Sequence, residues 1–171
     1  MGIEVFGVSL EILEPGVYPK LRMLLSDYSH TRIGDEELAA NYAVTYGEYK
    51  DKRHFIDIYI SRDLASNRCK MAIRFSLCSF ESIDNILLDI VKLVLSSFDA
   101  EVWLMTSALN QKNYYLPGDQ NWLIAALPDE IAAMRNYWQG LFGNKQGFVQ
   151  VKDSFAFVGL KYYIFSDYGK K

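Results

Sequence analysis

The chain has 171 residues, of which 50% are hydrophobic and 23% are charged. Such a composition is ordinary for globular proteins and excludes a mostly disordered chain, and the length favours one domain over residues 1–171. The net charge of −3 lacks the basic excess that nucleic-acid-binding proteins carry, so a nucleic-acid partner is not expected.

The first 40 residues predict a strand followed by two helices. Residues 6–12 alternate between apolar and small or polar side chains, which indicates a half-buried strand. Residues 18–29 have leucines recurring on one helical face, and Pro19 suits a first turn. Acidic side chains favour a first helical turn, so Asp35, Glu36 and Glu37 predict a second short helix with Asp35 as its N-cap.

Three strands with short connections follow. Tyr42 to Tyr46, Phe55 to Ile60 and Cys69 to Leu77 all alternate with period two, which predicts an antiparallel meander. In the second of these strands, isoleucines point to one side, while Phe55, Asp57 and Tyr59 point to the other.

The second half alternates helix and strand. Residues 83–98 follow the i, i+3, i+4 rule of an amphipathic helix, and residues 102–106 predict a strand. Residues 107–121 are the longest predicted loop, and Pro128 is expected to begin the last helix. Residues 148–151 and 155–165 predict a final strand pair. The expected fold class is α+β: a mostly antiparallel sheet of about six or seven strands with two to four helices packed on it.

The cysteines and the apolar segments favour a cytoplasmic protein. Cys69 and Cys78 fall in or beside one predicted strand, which would separate them by roughly 30 Å, too far for a disulfide. Two unpaired thiols suit a reducing compartment. The longest apolar stretch, residues 86–98, is interrupted by Asp89 and Lys92, and no signal peptide is recognisable, so we expect no membrane contact.

Side chains that carry catalysis do not form a recognisable motif. The two histidines, His30 and His54, have no ligand partner at metal-binding spacing and are interpreted as surface residues. A thiol–imidazole pair of Cys78 with His54 is conceivable, but an inert buried thiol is favoured. Glycine-rich phosphate loops and the G-x-S-x-G elbow are absent. We therefore expect no catalytic residues, no metal and no cofactor.

Residue types typical of protein interfaces are more prominent in the sequence than catalytic motifs. Twelve tyrosines and an acidic balance favour a surface that binds a protein, since aromatic side chains anchor interfaces and acids steer basic partners. The long predicted loop supplies the first set of candidate partner-binding residues and the acidic run supplies the second. The candidates are Tyr114, Tyr115, Asp119 and Trp122, and Asp35, Glu36 and Glu37.

In its overall character, as a small, acidic α+β chain without catalytic motifs, the protein resembles the cytosolic immunity proteins that protect bacteria from toxins. The resemblance implies a non-catalytic protein that binds one cognate toxin, a basic one by charge, and occludes it. Two alternatives stay open: an acidic secretion chaperone, and an enzyme of unrecognised type with a pocket between sheet and helices. The oligomeric state is not predicted.

Overall fold

The structure, a computed structural model, describes residues 5–77, 82–106, 114–115 and 120–146. Strands and helices alternate irregularly along this part of the chain, which gives a mixed rather than a repeating βαβ architecture. In chain order the elements are β1 (Val5–Ile12), α1 (Tyr18–Ser26), β2 (Thr31–Ala39), β3 (Tyr42–Lys50), β4 (Phe55–Asp63), β5 (Cys69–Ser76), α2 (Ile83–Leu95), β6 (Ala100–Thr106), β7 (Tyr114–Tyr115) and α3 (Gln120–Gln146).

The strands form one antiparallel sheet in the order β2-β3-β4-β5-β1-β6-β7. Strands β3, β4 and β5 are the predicted meander, and β1 lies between β5 and β6 with both neighbours antiparallel. Among the described residues, the edges of the sheet are β2 and the two-residue β7. The prediction of an α+β fold with a mostly antiparallel sheet of six or seven strands is confirmed.

The two faces of the sheet differ in composition. We call the face that carries Ile56, Ile58 and Ile60 the inner face, and the face that carries Asp57 and Tyr59 the outer face. Inner-face side chains form one buried cluster with apolar side chains of all three helices, so the helices pack on that face. The fully buried inner-face residues of the central strands are Phe6, Val8, Leu10, Ile12, Ile56, Ile58, Met71, Ile73 and Phe75.

An arginine connects two of the helices. Arg135 of α3 donates to both carboxylate oxygens of Asp84 in the first turn of α2, and its Nε donates to the carbonyl oxygen of Leu77 at 3.3 Å. Its guanidinium also lies 5.9 Å from the centre of the Phe75 ring. Since a nearly buried charge needs a partner, this ion pair fixes α3 against α2 and the end of β5.

The acidic run lies in a strand, so the predicted second short helix with Asp35 as its cap was wrong. Asp35, Glu36 and Glu37 belong to β2, which pairs with β3 and has a register shift between Ile33 and Glu36. At Gly34, a Cβ atom would lie 2.9 Å from the carbonyl oxygen of Tyr46. Backbone pairing with β3, made possible by that glycine, therefore overrides the helix preference of the acids.

The last helix begins earlier than predicted. Helix α3 starts at Gln120 and contains Pro128, which was expected to begin it. The proline removes one backbone hydrogen bond, but an apolar stripe runs through it and is buried in the core, which offsets that loss. The stripe consists of Leu123, Leu127, Ile131 and Met134.

Several predictions fall on residues that the structure does not describe. These include most of the predicted 107–121 loop and the predicted strand pair at 148–151 and 155–165. Within the described residues, no helix combines the length and apolarity that crossing a membrane requires.

Candidate functional site

The sequence-predicted binding residues lie at opposite edges of the sheet. Tyr114 and Tyr115 form β7, whereas the acidic run belongs to β2. Six strand spacings separate the two edges, a distance of about 29 Å. Trp122 lies in the first turn of α3, and Asp119 is outside the described residues. The two predicted patches are therefore not one compact site.

Two of the three predicted acids already have arginine partners. Arg22 donates to Asp35 at 3.0 Å, and Arg62 donates to both carboxylate oxygens of Glu36 at 2.7 and 2.9 Å. The hydrogen bond from Arg62 lowers the pKa of Glu36 below its ordinary value. Because these charges are offset within the molecule, the run contributes less to the steering of a basic partner than its sequence indicates.

A row of aromatic and small residues crosses the outer face. Residues that pair directly in neighbouring antiparallel strands point to the same face, so the register connects distant parts of the sequence. The register row, named here the aromatic row, consists of Tyr46, Tyr59, Ala72, Ser9, Trp103 and Tyr114. It connects the β3–β4 hairpin to Tyr114 in β7, one of the predicted partner-binding residues.

The β3 end of this row is exposed. Tyr46 is 58% exposed, and Tyr42, four residues earlier on the same face, is 52% exposed. The Tyr46 ring packs edge-on against the ring of Tyr59 with 5.4 Å between the ring centres. This contact holds a large aromatic side chain in one orientation at the surface. At the other end of the row, the ammonium of Lys70 lies 5.0 Å from the centre of the Trp103 ring.

Sequence reasoning treated Tyr42 and Tyr46 only as strand residues. Their alternation with Ala43 and Thr45 made both faces of β3 equally plausible as the buried one. The strict isoleucine alternation in β4 was the signal that could have decided it, because residues paired across β3 and β4 share a face. Tyr46 pairs with Tyr59, which puts it opposite the isoleucine side.

An open hollow of about 310 Å³ lies next to Tyr42, at one end of the outer face. Ser61, Lys70 and Glu11 occupy one register row of its floor, and Asp63 lines it beside Tyr42. Charged side chains of both signs line the hollow, among them Glu11, Asp63 and Lys70. It opens on the outer face and not between sheet and helices, where the enzyme alternative placed a pocket.

A second group of side chains gathers at the opposite end of the β3–β4 hairpin. The Nδ1 atom of His54 lies 2.9 Å from a carboxylate oxygen of Asp51, and its Nε2 atom lies 2.7 Å from Oγ of Ser82. The β3–β4 turn supplies Asp51 and His54, and the residue that precedes α2 supplies Ser82. We name these three residues the Asp51–His54–Ser82 array.

The carboxylate of Asp51 is fixed by four donors besides solvent. The amides of Arg53 and His54 donate to Oδ1, and the Tyr49 hydroxyl and the His54 ring donate to Oδ2. Partial burial raises the pKa of Asp51, but these hydrogen bonds outweigh it and hold the pKa far below its ordinary value. For Tyr49, burial and the bond to Asp51 both raise the pKa. Asp51 is therefore ionised at neutral pH.

The ionised carboxylate determines the state of the histidine ring. A carboxylate only accepts hydrogen bonds, so Nδ1 of His54 carries a proton. In the neutral ring, Nε2 is then an acceptor directed at the Ser82 hydroxyl. The imidazole side chain is only 11% exposed, so the interpretation of His54 as a surface residue was wrong. His30 is exposed and packs edge-on against the Tyr49 ring.

No local sequence pattern indicated the array, since Ser82 lies 28 residues from His54. The alternative pairing of His54 with Cys78 involves a residue outside the described part of the chain. Burial raises the pKa of the Cys69 thiol to about 11, so that thiol is unreactive. Among the described residues, no three His, Cys, Asp or Glu side chains are grouped in a way that could hold a metal ion.

The comparison with known proteins assigns the chain to no family. Neither a protein-family model nor a curated protein sequence matches the chain.

Proposed function

We propose that the protein is a binding module that recognises a basic protein partner through the outer face of its sheet, and that the partner is a toxin that it neutralises by occlusion. The exposure of Tyr42 and Tyr46 on the outer face of the β3–β4 hairpin is the observation that carries the proposal. Exposed aromatic side chains held in fixed orientations are typical anchors of protein interfaces.

The surroundings of these tyrosines suit a basic partner. Glu37 pairs with Val44 between the two tyrosines, Asp63 pairs with Tyr42, and Glu48 follows Tyr46 on the same face. The chain as a whole carries a charge of −3. Acids around aromatic anchors steer a cationic surface into contact and raise the association rate.

The register supports the inclusion of Tyr114 in the same proposed interface. Tyr114 lies at the β7 end of the aromatic row and Tyr46 at the β3 end. Five strand spacings, about 24 Å, separate these ends, which is within the width of an interface of standard size. A partner that covers the outer face would therefore contact both.

The test begins with capture of partners from the cells that make the protein, followed by purification of each captured protein. Calorimetric titration then compares the unaltered chain with the double variant Tyr42→Ala/Tyr46→Ala. Loss of two anchors should weaken binding by at least about 30-fold, equivalent to about 2 kcal/mol. Met23→Ala is the matched control, because Met23 is 61% exposed but lies on α1.

The variant Tyr114→Ala tests the second end of the row by the same titration, because Tyr114 pairs with Trp103 in the register. Unchanged affinity in this variant and in Tyr42→Ala/Tyr46→Ala would remove the outer face as the binding surface. Occlusion is measured separately: production of the partner in a sensitive host should arrest growth, and co-production of this chain should restore it. A captured partner that does not arrest growth would contradict the toxin assignment and leave the secretion-chaperone alternative.

A further inference from the structure

Three polar side chains stand in the order that nucleophilic serine catalysis requires. The carboxylate of Asp51, the imidazole of His54 and the hydroxyl of Ser82 are joined in series by contacts of 2.9 and 2.7 Å. The 2.7 Å contact between Nε2 and Oγ falls within the range of about 2.6–3.2 Å over which a base takes a proton from a nucleophile, and the 2.9 Å contact is a hydrogen bond that orients the base. Such an arrangement is recognised by geometry and not by sequence order.

The exposure of the three side chains increases from the base to the nucleophile, as serine catalysis requires. The side chains of His54 and Asp51 are 11% and 22% exposed, so protein shields the base and the carboxylate that orients it. Ser82 is exposed, so its hydroxyl is accessible to a molecule in solution. The nucleophile thus faces solvent while the base behind it is fixed by Asp51.

The Ser82 hydroxyl is also not engaged in the role expected at its position. Ser82 is the N-cap residue of α2, where a serine side chain usually accepts a hydrogen bond from a first-turn amide. It makes no such bond and contacts His54 instead. The hydroxyl of Ser82 is therefore not held by a first-turn amide of α2.

From this geometry we infer that Ser82 is a nucleophile for acyl transfer from carboxylic esters, with His54 as general base and Asp51 as the residue that orients it. Nε2 of His54 takes the hydroxyl proton as Oγ of Ser82 bonds to the ester carbonyl carbon. The bond from that carbon to the alkoxy oxygen then breaks, and the leaving alcohol takes the proton from Nε2. Water attacks the resulting acyl-serine in the same way and releases the carboxylic acid. This activity is independent of the proposed binding function.

The experiment uses the full chain and p-nitrophenyl acetate. Samples quenched in acid early in the reaction should show an acetyl group on Ser82 by mass spectrometry of the intact protein and of its peptides. Absorbance should show a burst of p-nitrophenol equal to the amount of protein, followed by slower continued release as the acyl-serine is hydrolysed. Ser82→Ala should abolish this acetylation. His54→Gln should slow it at least about 100-fold, the usual contribution of a general base.

Ser96→Ala is the matched control, because Ser96 is an exposed serine at the opposite end of α2 and should leave the rate unchanged. Circular dichroism and thermal melting confirm that each variant is folded. Absence of acetylation on Ser82 in the folded wild-type chain overturns the inference, as does an equal rate in folded His54→Gln. In either case the array is a structural connection between the hairpin and α2.

Discussion

The two faces of the β3–β4 hairpin differ in what covers them. On the inner face, Ile56, Ile58 and Ile60 are fully buried under the helices of the same chain. On the outer face, Tyr42 and Tyr46 leave more than half of their surface exposed. The aromatic side chains of this chain are therefore not all in the core: strand periodicity buries the isoleucines on one face and leaves these two tyrosines exposed on the other.

The largest expected effect comes from the inner face. Ile58→Ala removes a fully buried side chain from a central strand and should reduce the free energy of unfolding by about 2–5 kcal/mol. Tyr46→Ala, on the outer face of the neighbouring strand, should reduce it by less than about 1 kcal/mol. Urea denaturation followed by circular dichroism measures both values.

Ile58→Ala and Tyr46→Ala together test whether the two faces differ in their contribution to stability. A loss for Tyr46→Ala equal to that of Ile58→Ala would mean that the outer face is part of the core. The exposed tyrosines would then have a structural role, and the binding proposal would lose the observation on which it rests.

A polar contact on the helical side gives the next largest effect. Arg135→Met leaves the carboxylate of Asp84 without its partner, and the two side chains are only 9% and 20% exposed. We expect a loss of about 1–3 kcal/mol, below the usual cost for a fully buried pair because Asp84 retains some solvent. Urea denaturation measures this loss.

The control for that variant is Arg22→Met, whose partner Asp35 is almost wholly exposed. Exposed ion pairs contribute roughly 0–1 kcal/mol, so this control should change stability little. Equal losses in the two variants would show that the Arg135 contact is no better shielded than a surface pair.

Sequence periodicity predicted the parts of the fold whose side chains repeat regularly. The isoleucines of β4 and the apolar stripe of α2 each match one period, so strand and helix were correct there. Local preference failed where a neighbour decided the outcome. The pairing of β2 with β3 overrode the acids at Asp35 to Glu37, and core burial carried α3 through Pro128.

The candidate sites could be predicted less well than the fold. Tyr46, Ser9 and Trp103 form one row only through strand order, which no local pattern encodes. Likewise, Ser82 reaches His54 because α2 returns to the β3–β4 turn. The acids of β2 were visible in sequence, but their arginine partners on α1 and β4 were not. Long-range pairing, and not residue chemistry, was the missing information.

A smaller change in the free energy of unfolding is predicted at Asp51, in the turn that connects β3 and β4. In the folded chain the pKa of Asp51 is lowered, so its ionised form stabilises the fold above the unfolded-state pKa of about 3.9. That stabilisation is lost as the pH falls through the lower folded-state value. Asp51→Asn should therefore reduce the free energy of unfolding by roughly 1–2 kcal/mol at pH 7, and the difference from wild type should shrink below about pH 4.

Urea denaturation at pH 7, 5, 4 and 3 measures that difference, and subtraction of one chain from the other cancels the carboxylates that the two chains share. Asp35→Asn is the control, because that carboxylate is 99% exposed and should show little change at any of these pH values. A difference for Asp51→Asn that stays constant down to pH 3 would mean that the substitution acts only by removing hydrogen bonds and not by removing the negative charge. The turn would then be held by geometry alone, and the ionised Asp51 that fixes the ring of His54 would not contribute to stability.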